Sequence, residues 1–230
     1  MKTSQKILAL AASVALMTTG AFANLMVLSQ DTANYSVGNG GAFIATVIDG
    51  PMNSSSYSSL ALAGNGGLLT FCIEYNEHFN PGGTYQYALS NGAKNGGVSG
   101  QTSANYDGLS NATAYLYSTF AQGNLGGVGG FIYNHAGLGD LQQAIWFLEG
   151  EGGTNNALAQ AAMANEGANW NADNNGAYGV QAININYVTG AHAQDQLYYH
   201  SVPDQGVTIA LLGLGFLGLA GFRRRFSSTK

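Results

Sequence analysis

Cys72 is the only cysteine in the 230-residue chain. A solitary thiol is a nucleophile where its surroundings favour the thiolate, and a small apolar side chain where they do not. Pairing with a histidine would make a cysteine hydrolase, yet nothing around Cys72 carries the context of one. Glu74 and Glu77, three apart, raise the paired acids of glycoside hydrolysis; with Glu74 on a strand and Glu77 past its end, sequence does not set their separation, and such acids are ordinarily solvated. His78, His135, His192 and His200 are scattered without ligand spacing, so no metal is expected. Gly126 to Gly130 lacks the Lys-Ser/Thr of a phosphate loop. Lys94, in a Gly/Asn loop, is the sole lysine available for an isopeptide bond, and loops of that kind are wet and mobile.

The elements that would position these groups are mostly strands. Phe43–Ile48, Leu68–Tyr75, Thr84–Leu89, Gln181–Val188 and Gln196–His200 are rich in β-branched and aromatic residues and bounded by Gly, Asn or Pro. The alternation in Gln181–Tyr187 predicts one buried and one wet face. Three helices interrupt them. The first is capped by Ser110 or Asn111 and runs through Phe120, with Tyr115, Leu116, Thr119 and Phe120 on one side. The third begins at Asn155 or Asn156 and runs through Asn165. Between them, Gly139 precedes a helix that the sequence starts at Asp140, with Gln143 completing a capping box. Leu141, Ala144, Ile145 and Leu148 form its buried stripe. Gln142 is then left in the first turn without a structural task, and Trp146, four residues on, lies beside it. The fold class expected is α+β: a β-rich single domain with about three short helices.

Charged residues make up only 8% of the chain, against about 25% in ordinary soluble domains, and 34 residues are glycine. Between Asn24 and Ser201, eleven acidic residues face one lysine, Lys94. Nucleic acid is excluded as a partner, because its binding rests on cationic contacts to phosphate. The profile fits a loop-rich extracellular protein better than a cytosolic enzyme.

Both ends read as targeting segments. Lys2 and Lys6, an apolar run from Ile7 to Met17, and Ala21-Phe22-Ala23 form a signal peptide over residues 1–23, cut by signal peptidase between Ala23 and Asn24. At the other end, residues 202–230 begin with Val202-Pro203-Asp204-Gln205-Gly206, a turn-prone segment. An uncharged stretch at 207–222 follows, roughly 25 Å long as a helix at about 1.5 Å per residue and so a minimal transmembrane span. Arg223, Arg224 and Arg225 stop it and hold that side in the cytoplasm. The order of proline motif, Gly/Leu-rich helix and arginine cluster resembles the PEP-CTERM sorting signals. Val-Pro-Asp-x-Gly looks like the VPDSG-type variant, with Gln205 where serine is usual. The resemblance implies that an exosortase-like membrane enzyme cuts near the motif. The body, residues 24–201, is then anchored by the C-terminal helix until it is passed to the cell surface or matrix.

A second resemblance concerns the body. Phe71-Cys72-Ile73-Glu74 and Leu141-Gln142-Gln143-Ala144-Ile145-Trp146 resemble the two motifs of thioester domains in bacterial surface adhesins, with Leu141 in place of the usual threonine. Ala193-Gln194-Asp195-Gln196-Leu197 also looks like a segment of PEP-CTERM-tailed proteins that carry this pair. The resemblance implies that Cys72 and Gln142 join in an internal thioester supported by Phe71, Asp140 and Trp146. A helix N-terminus near the sulfur would lower its pKa, first-turn N–H groups would hold the oxyanion, and the aromatics would exclude water. Such a bond captures a nucleophile on an extracellular partner. The expectation is therefore a non-enzymatic exported adhesin or matrix protein, without cofactor. A non-covalent matrix component and, less favoured, a secreted hydrolase are the alternatives.

Overall fold

The computed structural model describes residues 24–38, 40–52, 67–94, 97–98 and 105–201. The expected signal peptide, its Ala23 cleavage residue and the tail from Val202 through Arg225 lie outside the described residues. Among the described residues no helix is long and apolar enough to cross a membrane.

Among the described residues, ten strands and three α-helices form one β-dominated domain. The strands are β1 (Leu25–Ser29), β2 (Ser36–Val37), β3 (Gly40–Gly41), β4 (Phe43–Asp49), β5 (Leu68–Thr70), β6 (Gly83–Ser90), β7 (Gly92–Lys94), β8 (Tyr106–Gly108), β9 (Val180–Tyr187) and β10 (Gln196–Tyr199). The helices are α1 (Asn111–Ala121), α2 (His135–Leu148) and α3 (Ala157–Glu166). Six strands make an antiparallel sheet in the order β10-β9-β6-β1-β4-β5, and β2-β3 and β7-β8 form two small ribbons.

The sheet closes on itself. Beyond β5 the chain continues alongside β10: Leu197 N–H donates to the Phe71 carbonyl at 3.0 Å, and Ile73 N–H donates to the Asp195 carbonyl at 3.1 Å, with Cys72 facing Gln196 between them. Closure pairs the two edges that an open sheet would leave exposed. Side chains alternate accordingly. Met26, Leu28, Phe43, Tyr85, Ile183 and Ile185 pack together in one core with Cys72 and Trp146. Their neighbours Phe71, Ile73, Ala182 and Leu197 pack instead with Leu116, Phe120 and Ile145 of the helices. Both faces of β9 are thus largely buried, unlike the half-wet strand its alternation predicts. One face belongs to the barrel and the other lies under helices.

The helix ends show which signals dominate. Ser110 caps α1 by accepting the Thr113 N–H, and Asn156 caps α3 by accepting those of Leu158 and Ala159, as the sequence indicates. The buried side of α1 differs from expectation: Leu116, Tyr117 and Phe120 are buried, while Tyr115 and Thr119 are only half-buried. Helix α2 begins at His135, with Asn134 as its cap accepting the Gly137 N–H. Asp140 is therefore not a cap, and no capping box forms with Gln143. Gly137 and Gly139 lie inside the helix because neighbours crowd them: a Cβ on Gly139 would meet the Val37 side chain at 3.1 Å, and one on Gly137 would strike the Ile132 carbonyl oxygen. These glycines allow close packing and do not mark a helix start.

Candidate functional site

Cys72 stands at the barrel seam. It and Gln196 form the bridge whose flanking residues carry the hydrogen bonds, so the Cys72 N–H and C=O point away from β10. On that side β4 pairs with β5 only as far as Phe43 opposite Thr70. Chain-upstream of Phe43, β3 pairs with β2 and packs on α2. Among the described residues no strand covers the outward edge of Cys72. Gln142 fills the gap from α2: its Oε1 accepts the Cys72 N–H at 3.0 Å, and its Nε2 donates to the Cys72 carbonyl at 2.8 Å. The glutamine side chain thus imitates a strand neighbour. Both residues are buried.

Gly40 makes this approach possible. A Cβ there would lie 2.5 Å from Cη2 of Trp146 and 2.9 Å from Cγ of Gln142. The sequence reading does not single out Gly40, since a Gly-Gly pair in a glycine-rich chain reads as an ordinary turn. Trp146 lies beside Gln142 as the helical spacing predicts, is buried, and stacks edge-on to Tyr75 at 4.9 Å between ring centroids.

The other expected supporters behave differently. Phe71 is buried on the opposite face of its strand, edge-on to Phe120 at 5.2 Å, and shields the helical side. Asp140 is exposed, and its carbonyl accepts from Asn156 Nδ2. No first-turn N–H faces Cys72 from α2, because the helix starts seven residues before Gln142. The thiol is not activated either: burial pushes it up, well above its ordinary range, and the nearby Glu74 pushes the same way. The donor on the sulfur is Nε2 of Gln196, at 3.5 Å.

The segment Ala193–Leu197 is buried throughout and ties the surroundings together. Gln194 Nε2 donates to the Glu74 carbonyl at 2.7 Å. Asp195 accepts from the N–H groups of Lys94 and Ile185 and from Asn184 Nδ2. Its carboxyl is pushed up to about 7 by burial, which the nearby His192 opposes. Lys94 lies on β7 and not in a loop.

Glu74 and Glu77 are not two solvated acids. Glu74 is completely buried, neither of its oxygens accepts a hydrogen bond from a donor group, and its carboxyl faces that of Glu77. Burial raises its pKa first, then Glu77, Asp195 and Glu151 raise it further. Glu77 Oε2 lies 2.9 Å from Nε2 of His192, which is itself 3.7 Å from Asp195 Oδ1. His78, His135 and His200 stand apart from this group, as their scatter in the sequence suggests; His135, for instance, contacts the Ser36 carbonyl. A cleft of about 500 Å³ opens beside the cluster, lined by Tyr75, Glu77, Phe79, Trp146 and Gln194 among others. Cys72 and Gln142 lie behind its wall, out of direct contact with it.

Residues 201–226 match the VPDSG-CTERM motif. This covers Val202, Pro203, Asp204, Gly206 and the three arginines, and it supports an exported surface protein processed by an exosortase-like enzyme. The match is confined to the tail and does not reach the domain. No curated protein matches the chain, and no solved structure matches it.

Proposed function

We propose that this protein is a surface adhesin whose domain carries an internal Cys72–Gln142 thioester, used to capture nucleophiles on an extracellular partner. The observation that carries the reading is the placement of the Gln142 carboxamide on the backbone of Cys72. In the reaction Cys72 Sγ attacks Cδ of Gln142, a C–S bond forms and the C–N bond breaks. The thiol proton leaves with the nitrogen as ammonia. The Cys72 N–H already donates to Oε1, the oxygen that gains charge in the tetrahedral intermediate, and so takes the role expected of helix N–H groups. Gln196 Nε2 stabilises the sulfur as it loses its proton. Trp146, packed beside Gln142, keeps water from the bond once formed.

One observation favours the non-covalent alternative, a matrix component. A thiol raised by burial is protonated and inert, and the two hydrogen bonds give Gln142 a structural task without any covalent bond. Intact mass separates the two. The thioester lowers the mass of the exported protein by one ammonia relative to its termini, and methylamine converts the deficit to an adduct on Gln142. Cys72→Ala abolishes both. A full-sequence mass with one thiol titratable after denaturation returns the protein to the non-covalent reading. Against a hydrolase, Glu74 is sealed from solvent, and turnover on peptide or glycan panels that survives both Cys72→Ala and Glu74→Gln would leave neither residue a catalytic part.

A further inference from the structure

We infer that Glu74, His192 and Asp195 form a binding site for a divalent transition-metal ion of the Zn²⁺ or Mn²⁺ class, which clasps the barrel seam next to Cys72. The site is independent of whether the thioester forms.

The first observation is convergence. One donor atom from each of Glu74, His192 and Asp195 lies within 4.8 Å of the others, although the residues come from two distant stretches of chain. A cation centred in a triangle of that size would be roughly 2.8 Å from each corner, and ligation at about 2.1 Å requires each to move in by less than about 1 Å. Glu77, whose Oε2 lies 2.9 Å from Nε2 of His192, stands at the edge of this group.

The second observation is the state of Glu74. Its side chain is fully buried, points at this group, and neither of its oxygens accepts a hydrogen bond from a donor group, while its carboxyl faces that of Glu77. A carboxyl buried this way keeps its proton, as its raised pKa indicates, unless a cation beside it compensates the charged form. Three carboxylates meet here, with Glu151 also close to Glu74, while His192 and Lys94 are the only basic side chains acting on the cluster among the described residues. The charge excess favours a dication.

The surroundings are those of a built ligand set. Asp195 is fixed by Asn184 Nδ2 at 2.6 Å and by the N–H groups of Lys94 at 2.7 Å and Ile185 at 3.0 Å, the outer contacts that orient a ligating carboxylate. His192 and Glu77 remain partly exposed, at 17% and 13%, and Glu77 lines the open cleft, so an ion has a way in. The imidazole selects against Ca²⁺ and Mg²⁺, which take oxygen ligands, and favours a borderline metal. Bound there, the ion would join the strand after Cys72 to the segment leading into β10, the two edges whose pairing closes the barrel.

The test uses the full exported protein, stripped with a chelator and titrated calorimetrically with ZnCl₂, MnCl₂, CaCl₂ and MgCl₂, with thermal unfolding followed in parallel. The expected result is one equivalent of Zn²⁺ or Mn²⁺ bound, a melting temperature that rises with its concentration, and little response to Ca²⁺ or Mg²⁺. Glu74→Gln keeps the side-chain shape and should weaken binding by about tenfold or more with an unchanged circular-dichroism spectrum. If that variant does not fold, His192→Gln, at a partly exposed position, provides the same reading. The inference is overturned if no metal binds stoichiometrically to the wild type, or if a folded Glu74→Gln or His192→Gln variant binds as tightly as the wild type.

Discussion

The carboxamide of Gln142 occupies the place of a missing strand beside Cys72, accepting its N–H at 3.0 Å and donating to its carbonyl at 2.8 Å. The substitution Gln142→Glu keeps the acceptor and removes the donor, setting a carboxylate oxygen against the Cys72 carbonyl. The expected outcome is a loss of about 1–3 kcal/mol in urea unfolding, the cost of an unsatisfied buried carbonyl. A variant as stable as the wild type would show that the hydrogen bond from Nε2 to the Cys72 carbonyl contributes nothing. The same variant should show no ammonia deficit in its mass, since a carboxylate does not form the thioester spontaneously.

The contact depends on Gly40. Adding one methyl there places it against the Trp146 ring and the Gln142 side chain, and neither can withdraw into a filled core. Gly40→Ala should therefore destabilise the domain by about 1–3 kcal/mol and alter the near-ultraviolet signal of Trp146. An unchanged melting temperature and spectrum would count against Gly40 as the spacer of this site.

Much of the architecture was legible because local signals and packing agree. The strands near Phe43, Thr84 and Gln181 carry β-branched and aromatic residues in alternation, and Ser110 and Asn156 cap helices by a mechanism sequence states directly. The sequence does not mark β1, although it is central in the sheet: Leu25–Ser29 has one β-branched residue, no aromatic, and no Gly or Pro at its start. The sequence starts α2 too late, because Asp140 with Gln143 imitates a capping box and Gly139 stands just before it. Its reason for being glycine is Val37, a neighbour brought close only by the tertiary fold.

The site was readable in part for the same reason. The proximity of Gln142 and Trp146 follows from helical spacing, and the pairing of Cys72 with Gln142 was reachable only through resemblance, since 70 residues separate them. Phe71 was assigned to the site by adjacency in sequence, whereas strand alternation sends it to the other face. His192 and Glu77 have no spacing to betray them: barrel closure alone brings them together.

That closure has a second fastening. Tyr117 of α1 donates its hydroxyl to the Leu69 carbonyl at 2.9 Å and to that of Leu197 at 3.1 Å, spanning the two edges, and Thr70 Oγ1 also donates to Leu197 at 2.6 Å. Tyr117→Phe keeps the ring packing with Phe71 and removes only the hydroxyl. It should cost about 1–2 kcal/mol in urea unfolding. Amide hydrogen exchange at Leu197 and Ile73 should also accelerate relative to β1. Uniform exchange across the sheet would mean that the seam is not held by this hydroxyl.

Stability should also depend on pH through Asp107. This carboxyl is buried, one of its oxygens has no partner, and burial followed by the charges of Glu149, Glu151 and Asp173 pushes its pKa up to about 7. An unfolded aspartate titrates at about 3.9. Below that value both states hold the proton and nothing is lost. From about pH 4 to about pH 7 the unfolded chain releases a proton that the folded chain retains, so stability falls as pH rises through the window and levels off above it. The slope from this one group is at most about 1.4 kcal/mol per pH unit. Urea unfolding at half-unit steps should show the domain more stable near pH 5 than near pH 8, with a shallower fall in Asp107→Asn. Asparagine keeps the neutral form that the site favours at every pH. A variant whose fall is as steep as that of the wild type would remove Asp107 from the account and leave the slope to other buried acids.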